Sequence, residues 1–504
     1  MQMFEQLKAM REHGGPALTV GLNQAQLERF AAIDPNLSRA VAEAHAAFEQ
    51  LCAEEPELMA LSEADQLARI QAGFVNFYTD DSVNPYVSLA ARGSWIVTLK
   101  GAVIQDHGGY GMLGMGHGPD AVIEAMSRPH VMANVMTPNV SQLKLERALR
   151  AEIGRTVGGC PYSHFLCLNS GSESVSLAGR IADVNTKLHT DPGGRHAGKK
   201  VKRIAVKGAF HGRTELPALY SDSSAKAYAT HLASYQHHAS QLLTIEPYSI
   251  EQLRETFAQA DREGWYIEAM FLEPVMGEGD PGRGVTPAFY AAARELTKAH
   301  GTLLLVDSIQ AGLRAHGVLS VVDYPGFEGL EAPDMETYSK ALNAGQYPLS
   351  VLAVNERAAG LYRKGVYGNT MTTNPRAMDV ALAVLNGLTP AVRENIVERG
   401  KEFVRKLEAL KAELPGWITK VQGTGLLFSC ELSDEFKCFG ADSTEEYLRK
   451  HGLGVIHGGI NSLRFTPSFL VSSAEVDLVI DLVRQALTEG PRKQAPQAQT
   501  AHAA

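Results

Sequence analysis

Five short apolar runs, separated by amphipathic stretches, constrain the fold of this chain most. They occupy residues 165–168, 203–206, 269–272, 302–306 and 350–354. Continuous apolar runs of this length are typical of strands buried on both faces, and parallel sheets covered by helices are built from such strands. Gly clusters and apolar residues at helical spacing lie between the runs. This alternation predicts an α/β fold, in which helices flank a mostly parallel sheet.

The composition changes on either side of residues 85–375, which we predict to form one large domain. Residues 1–84 are rich in Ala, Glu, Gln and Leu and predict a helical extension. Its apolar residues recur at helical spacing in two groups, Val41, Ala44, Phe48 and Leu51 in the first, and Leu67, Ile70 and Phe74 in the second. A helical pattern that begins near Asn374 leads into a small α+β domain over 376–489. The tail, 490–504, is rich in Pro, Gln and Ala, and we expect it to be disordered.

The charge and the cysteines of the chain indicate which partners to expect. A net charge of -9 gives no general attraction to nucleic acid or to an anionic membrane, so we expect a small-molecule partner. The first residues do not form a basic segment followed by an apolar stretch, and no apolar run of about 20 residues follows. We therefore expect a soluble cytoplasmic protein. The five cysteines contain no Cys-x-x-Cys pair, which indicates small buried side chains rather than disulfides or a structural zinc site.

A possible anion site follows the first apolar run. Ser170, Gly171 and Ser172 lie between that run and an amphipathic helical stretch. Backbone N–H groups at the start of a helix attract negative charge, and glycine lets a phosphate approach the backbone closely. The alternative is that Ser170 only caps the helix.

Two further residues, Asp307 and Lys340, could act on a ligand that carries a pyridine ring and an aldehyde. Asp307 follows the run at 302–306, where ligands bind in open α/β sheets, and a carboxylate there could keep a pyridinium nitrogen protonated. The alternative is a helix cap. Lys340 follows later, and a sheltered lysine can lose its proton, attack an aldehyde and form a Schiff base. The alternative for any single lysine is a solvated surface group.

Six sequence motifs resemble, in the same order, those of the class III pyridoxal-phosphate aminotransferases, in the branch of ornithine, acetylornithine and 4-aminobutyrate aminotransferases. The motifs are Asn-Ser-Gly-Ser-Glu at 169–173, Phe-His-Gly-Arg-Thr at 210–214, Glu-Pro-Val-Met-Gly-Glu at 273–278, Asp307 with Gln310, Lys340, and Gly-Asn-Thr-Met-Thr-Thr-Asn-Pro at 368–375. The resemblance covers roughly residues 85–488. It implies a fold type I enzyme whose large domain has a seven-stranded sheet, followed by a small C-terminal domain.

The resemblance also implies a role for each matched residue around pyridoxal 5′-phosphate. Lys340 would carry the cofactor and move the proton, and Asp307 would pair with its ring nitrogen. The other cofactor-binding residues it implies are Ser170, Gly171 and Ser172 at the phosphate, Phe210 on the ring face, Gln310 near the phenolic oxygen, and His211 and Glu273. Thr370 would reach the phosphate from a neighbouring subunit, which implies a homodimer with shared active sites. Core packing for Phe210 and a turn hydroxyl for Thr370 are the alternatives.

Two charged residues concern the substrate. Arg464 resembles the arginine that binds a substrate carboxylate, and a guanidinium suits a carboxylate bidentately. Glu278 resembles the glutamate that pairs with this arginine while an ω-amine is processed. The resemblance thus implies ping-pong transfer of an amino group from an amino acid or ω-amine donor to a keto acid such as 2-oxoglutarate. The alternative for the two residues is an exposed structural ion pair.

The chain departs from the family pattern at several positions. Ser308 stands where the family usually has Glu, Met276 where it has Gln, and Met371, Thr372 and Thr373 where it has Phe-Gly-Gly. These changes reshape the pocket rim, so the usual substrates need not fit. An aminomutase or racemase of the same fold and a catalytically silent dimeric scaffold are the alternative functions.

We expect no metal site in this chain. The His-His pair at 237–238 has no acidic or histidine partner at ligand spacing, so we interpret it as part of a solvated loop. His117 lies in a Gly-His turn before a helical stretch, and we interpret it as structural.

Overall fold

The computed structural model describes residues 2–131, 134–237 and 240–493. The strands are β1 Ser88–Arg92, β2 Trp95–Thr98, β3 Val103–Asp106, β4 His164–Leu168, β5 Lys200–Val206, β6 Leu242–Ile245, β7 Trp265–Leu272, β8 Leu303–Asp307, β9 Met335–Tyr338, β10 Ser350–Val354, β11 Ile418–Thr424, β12 Leu427–Leu432, β13 Leu453–Gly454, β14 Ile456–Gly458 and β15 Ser462–Phe465. The helices are α1 Gln2–Glu12, α2 Gln24–Ala31, α3 Pro35–Glu54, α4 Pro56–Met59, α5 Glu63–Gln71, α6 Asp120–Ser127, α7 Val140–Glu152, α8 Gly171–Thr190, α9 Glu215–Ala218, α10 Asp222–His231, α11 Ile250–Glu263, α12 Pro287–His300, α13 Glu356–Leu361, α14 Pro375–Gly387, α15 Pro390–Glu413, α16 Thr444–Lys450 and α17 Ser473–Glu489.

A seven-stranded sheet forms the centre of the molecule, in the order β4-β10-β9-β8-β7-β5-β6. Only β10 runs antiparallel to its neighbours. Helices cover the sheet, and its middle strands β8, β9 and β10 are buried along their whole length. The predicted α/β fold with a mostly parallel seven-stranded sheet is confirmed. The five apolar runs correspond to β4, β5, β7, β8 and β10. The predicted burial on both faces holds for β8 and β10, whereas the edge strand β4 is exposed at His164 and only partly buried from Phe165 to Cys167.

A smaller antiparallel sheet forms part of the C-terminal region, in the order β11-β12-β15-β14. The short strand β13 joins a different sheet, where it pairs in parallel with β3 beside β1 and β2. Residues 88–106 are therefore hydrogen-bonded to the C-terminal region across the predicted domain boundaries. The boundaries at 84/85 and 375/376 stay predictions, and most of the predicted disordered tail, 494–504, lies outside the described residues.

The N-terminal extension is helical, as predicted, and its two groups of spaced apolar residues differ in how deeply they are buried. In α3, Val41, Ala44 and Phe48 are buried. In α5 the buried residues are Glu63 and Gln66, whereas Ile70 is 42% exposed and Phe74, beyond the helix, is 84% exposed. Leu67 and Ile70 therefore lie in a helix, as predicted, whereas Phe74 follows the end of that helix. Glu63 faces inward because its carboxylate accepts the backbone N–H groups of Leu18 and Thr19 at 2.6 and 2.7 Å.

The cysteines, the helices and the histidines His117 and His237 bear on the remaining sequence predictions. Cys430 and Cys438 are buried, the other three cysteines are partly buried, and all five are free thiols. Among the described residues, no helix combines the length and the apolar character needed to cross a membrane. His117 bonds to Asp106, with Nε2 3.0 Å from Oδ2, in agreement with a structural role. His237 is exposed, and its neighbour at 238 lies outside the described residues.

Candidate active site

A cavity of about 170 Å³ lies where strands of the central sheet end. β7, β8 and β9 run in the same direction. β7 and β9 end just before Glu273 and Ser339, β8 ends on Asp307, and all three residues line the cavity. Ligands bind at this edge in open α/β sheets. The lining residues are Ser170, Gly171, Ser172, Phe210, His211, Gly212, Glu273, Asp307, Ile309, Gln310, Ser339 and Lys340. The cavity therefore brings together every predicted cofactor-binding residue except Thr370.

The start of α8 forms one end of this cavity. Ser170 caps the helix, because its Oγ accepts the N–H of Glu173 at 3.2 Å. The capping interpretation of Ser170 is thus correct, and it leaves the first backbone N–H groups of the helix available for an anion. A Cβ at Gly171 would lie 2.6 Å from Ile309 Cδ1, so a larger residue here would displace the side chain of Ile309 in the turn after β8.

Asp307 is buried beside a histidine on the next wall of the cavity. Its Oδ2 lies 2.8 Å from Nδ1 of His211, whose side chain is fully buried. Its Oδ1 accepts the N–H of Ile309 at 3.2 Å, so the carboxylate also shapes the turn after β8. Nε2 of His211 has no hydrogen-bond partner among the described residues. The sequence placed both residues at the cofactor, but it did not predict that they contact each other.

Glu273 connects two loops at the edge of the cavity. Its carboxylate accepts the N–H of Phe210 at 3.0 Å and that of Gly277 at 2.8 Å. Burial raises the pKa of Glu273 to about 7, with the charge of His211 opposing the rise and that of Asp307 adding to it. A Cβ at Gly277 would overlap Gln310 Oε1, so this glycine permits the close approach of the two loops.

Lys340 lies directly after β9, in the single turn Lys340–Asn343. Its φ of 44° is in the left-handed region, which few side chains adopt without strain. Burial lowers the pKa of Lys340 to about 8, and the charge of Arg464 lowers it further against the opposing carboxylates of Asp307, Glu278 and Glu273. The interpretation of Lys340 as a solvated surface group is therefore wrong, and roughly a tenth of its amine is neutral at pH 7 and able to act as a nucleophile.

Arg464 and Glu278 lie near the cavity but form no ion pair with each other among the described residues. Arg464 is 2% exposed, and its Nη1 donates to the carbonyl oxygen of Gly277. Its guanidinium lies 5.3 Å from the ring centroid of Tyr110. Glu278 instead lies close to Arg213, with Oε1 3.9 Å from Nη2. Because Arg464 is buried and is not bonded to Glu278, the alternative that these two residues form an exposed structural ion pair is excluded.

The structure adds an aromatic and cationic cluster that the sequence interpretation missed. The guanidinium of Arg213 lies 5.2 Å from the ring of Phe210, 5.6 Å from Phe77 and 5.8 Å from Tyr78. Tyr78 stacks in turn on Tyr110, with ring centroids 6.1 Å apart. The end of the N-terminal extension therefore lies beside the cavity. The position of Arg213 inside a matched motif was the only sequence signal for this cluster.

Thr370 does not line the cavity of its own chain. It is exposed, and its carbonyl oxygen accepts the N–H of Val135 at 3.2 Å. Its neighbour Asn369 donates to Glu173 Oε1 at 3.1 Å, which connects this loop to α8.

The residues present fit pyridoxal 5′-phosphate. The start of α8 offers N–H groups to a phosphate, Phe210 offers a ring face, and the buried Asp307 offers a carboxylate to a ring nitrogen. Lys340 has the lowered pKa that reaction with an aldehyde requires. Each chemical part of the cofactor therefore has a suitable partner in one cavity.

Comparisons with known proteins agree with this interpretation. A family model described as aminotransferase class III matches residues 78–487. An acetylornithine aminotransferase of Neisseria meningitidis is 27% identical over 417 residues, which cover 80% of this chain and 95% of the relative. A succinylornithine transaminase of Citrobacter koseri is 30% identical over 413 residues, covering 79% and 91% of the two chains.

Solved structures show the same fold. The ornithine aminotransferase from Toxoplasma gondii, whose structure was reported to contain pyridoxal 5′-phosphate at partial occupancy, superposes with a TM-score of 0.71 at 23% identity. This match covers 86% of the present chain and 96% of the other. Since the family match spans most of the sequence, the protein belongs to the class III aminotransferases, enzymes that use pyridoxal 5′-phosphate to transfer amino groups.

Proposed function

We propose that this enzyme transfers the terminal amino group of an amino acid or other ω-amine donor to a keto acid such as 2-oxoglutarate. The observation that carries the proposal is the arrangement of Lys340, Asp307 and the start of α8 around one cavity. The named relatives act on acetylornithine, succinylornithine and ornithine, which all carry an amine at the far end of the chain from a carboxylate. A donor of this shape is our first candidate.

Each predicted site residue receives a physical role in this proposal. Gly171 and Ser172 hold the phosphate with backbone N–H groups, and Phe210 packs on one face of the ring. Asp307 holds its negative charge at the ring nitrogen, while His211 Nδ1 fixes the orientation of that carboxylate. Glu273 and Gln310 hold the surrounding loops in contact with each other. When bound, the cofactor supplies the electron sink that makes the substrate carbon acidic.

Lys340 is the group that moves the proton. With a pKa of about 8, roughly a tenth of its Nζ is neutral at pH 7, far more than of an ordinary lysine, and this neutral amine can accept a proton from the substrate carbon. The protonated amine can then return that proton to a neighbouring atom. Arg464 favours this cycle because its positive charge disfavours the ammonium form of Lys340.

Arg464 and Glu278 provide the groups that would recognise two different substrates. The buried guanidinium of Arg464 suits the carboxylate of a keto acid. Glu278 is 31% exposed at its side chain and lies toward Arg213, where it can contact the polar end of a donor. We propose that the two residues serve the acceptor and the donor in turn, which corresponds to ping-pong transfer with two half-reactions.

We also propose a homodimer in which Thr370 completes the active site of the neighbouring subunit. Val135, whose N–H bonds to the Thr370 carbonyl, belongs to a group of exposed apolar residues in α7 and the loops near it, which we call the apolar face. One of them, Leu143, lines a groove together with Thr373 and with Phe165 of the edge strand β4. The residues of this face are 45 to 80% exposed, and they are Val135, Met136, Val140, Leu143 and Met371. Apolar faces of this kind are uncommon on monomers and favour association. The cytoplasmic location remains a prediction from the sequence.

An absorption measurement tests the proposed reaction. The purified protein with its cofactor is mixed with ornithine, N-acetylornithine, N-succinylornithine or 4-aminobutyrate, in the absence of any keto acid. We expect a visible band that moves into the ultraviolet with at least one donor and returns when 2-oxoglutarate is added. A band that no donor moves would contradict terminal-amine transfer and favour an aminomutase or racemase. Failure to form any band would contradict the role of Lys340.

A further inference from the structure

A second carboxylate, Glu336, lies fully buried close to the proposed site but outside its cavity. It belongs to β9, where it stands beside Val306 of β8. No lysine or arginine forms an ion pair with it in the part of the chain that the structure describes. A buried carboxylate without a counter-ion is costly, and an apolar residue would serve the packing of a central strand better. The presence of a carboxylate at this position therefore has a reason other than packing.

Four donors surround Glu336, two at each oxygen. Oε1 accepts the hydroxyl of Ser308 at 2.6 Å and the N–H of Val321 at 2.9 Å. Oε2 accepts the hydroxyls of Tyr162 at 2.7 Å and Ser320 at 2.5 Å. Because every partner can donate, the four bonds favour the ionised carboxylate, although burial outweighs them and raises the pKa of Glu336 above its usual range. Glu336 thereby joins three segments that are distant in sequence.

One of these segments is the end of β8, which carries Asp307. Ser308 is held by β9 twice, through its hydroxyl on Glu336 and through its N–H, which donates to the carbonyl oxygen of Thr337 at 3.0 Å. Asp307 precedes Ser308 directly, and Gln310 follows two residues later. A shift of Ser308 would therefore move both groups relative to the cofactor. Ser308 is also the position where the resembled family usually has a glutamate, so in this chain the carboxylate reaches the loop from the neighbouring strand.

We propose that Glu336 is a positioning residue, which holds the end of β8 so that Asp307 and Gln310 face the cofactor. The inference rests on the proposed roles of those two residues. Glu336 touches neither cofactor nor substrate, and it acts only through the hydrogen bond from Ser308. Positioning of this kind matters because small displacements of a charged group reduce its effect on the reacting atoms.

The test compares the pH dependence of the visible cofactor band in the wild type and in Glu336→Gln and Ser308→Ala. The midpoint of this titration reports the charge that Asp307 presents to the cofactor ring. We expect both variants to shift the midpoint by about half a pH unit or more. We also expect them to weaken cofactor binding about tenfold, measured by fluorescence titration of the cofactor-free protein.

Two control variants separate positioning from general destabilisation. Glu268→Gln alters another buried carboxylate of the same sheet, which accepts the hydroxyl of Tyr220 at 2.7 Å. Tyr162→Phe removes a bond to Glu336 without touching the end of β8. Both should lower the melting temperature and leave the midpoint unchanged. If Glu336→Gln does not fold, the comparison of Ser308→Ala with Tyr162→Phe still tests whether the hydrogen bond to Ser308 positions the end of β8.

Equal midpoints in Ser308→Ala and in the wild type, or an equal shift in the controls, would overturn the proposal. Such a result would leave the proposed function intact, because the wild-type band would still be present. Loss of the band in the wild type itself would contradict the proposed function instead.

Discussion

The amine of Lys340 opposes folding near neutral pH. Its pKa falls from the ordinary 10.5 to about 8, because burial and Arg464 disfavour the ammonium form. Between these pH values the unfolded chain binds more protons than the folded one, so the stability of the fold rises as the pH rises from 8 toward 10.5. We expect Lys340→Met to raise the melting temperature of the cofactor-free protein by about 2 to 4 °C at pH 7, and by less at pH 9.5.

A second buried lysine provides the matched control for this experiment. Lys100 is 2% exposed, and its Nζ donates to the carbonyl oxygens of His13, Gly15 and Leu61 at 2.9 to 3.0 Å. Lys100→Met would leave these carbonyls without their donor, so it should lower the melting temperature at both pH values. Thermal unfolding followed by circular dichroism measures both variants. A lower melting temperature for Lys340→Met at pH 7 would show that its ammonium is stabilised rather than strained.

Single residues of the site were predictable only where a motif identified their chemistry. Lys340, Asp307 and Phe210 lie in short motifs whose order is informative, and the structure brings them into one cavity. The contact of Arg213 with Tyr78 joins residues 135 positions apart, and no local pattern encodes such a contact. The separation of Glu278 from Arg464 likewise depends on how two loops pack, which the sequence does not express locally.

At the scale of elements, the starting edge of the central sheet contains stacked neutral histidines. The ring of His196 lies 4.7 Å from that of Tyr266 in β7 and 5.0 Å from that of His300 at the end of α12. Burial lowers the pKa of His300 to about 4, and the charges of His196, Lys199 and Arg195 lower it further against Asp261. Below pH 6.5 the unfolded chain therefore binds more protons, and the fold loses stability as the pH falls toward 4.

The prediction for this element concerns acid sensitivity. On acidification from pH 7.5 to pH 5, we expect the wild type to lose about 1 kcal/mol more unfolding free energy than His300→Gln, which cannot gain the charge. Urea unfolding at the two pH values measures this difference. His237→Gln, at an exposed site, controls for the substitution itself and should follow the wild type. If His300→Gln lost as much stability as the wild type, the stacked histidines would not be the acid-sensitive element.

Two strands of the central sheet, β9 and β6, were not identified from the sequence, because neither contains an uninterrupted apolar run. β9 contains Glu336 and Thr337, two polar residues that are fully buried, and buried donors bond to the carboxylate of Glu336. Apolar runs therefore cannot reveal this central strand. β6 is an edge strand in which Thr244 is exposed, so its apolar run is interrupted. In α5, the burial of Glu63 depends on the amides of Leu18 and Thr19, which helical periodicity within the element does not indicate.

At the scale of the whole molecule, the exposed position of Thr370 leads to a prediction about the dimer, because the proposed role of this residue lies in the neighbouring subunit. If Thr370 acts in the neighbouring subunit, a dimer of a Lys340→Ala chain and a Thr370→Ala chain contains one complete site. Its lysine comes from the Thr370→Ala chain and its threonine from the Lys340→Ala chain. We expect this heterodimer, isolated with two affinity tags, to have about half of the wild-type activity, because one of two symmetric sites is complete.

The matched control places both substitutions in the same chain and pairs it with a wild-type chain. The only lysine then lies in a site that receives alanine from its neighbour, so we expect this dimer to be about tenfold less active than the first. If Thr370 acted within its own chain, the order would reverse, since the wild-type chain would then be complete by itself. Because both dimers carry the same substitutions, differences in folding cannot produce the reversal. The ranking of the two activities therefore decides whether the active site is shared between subunits.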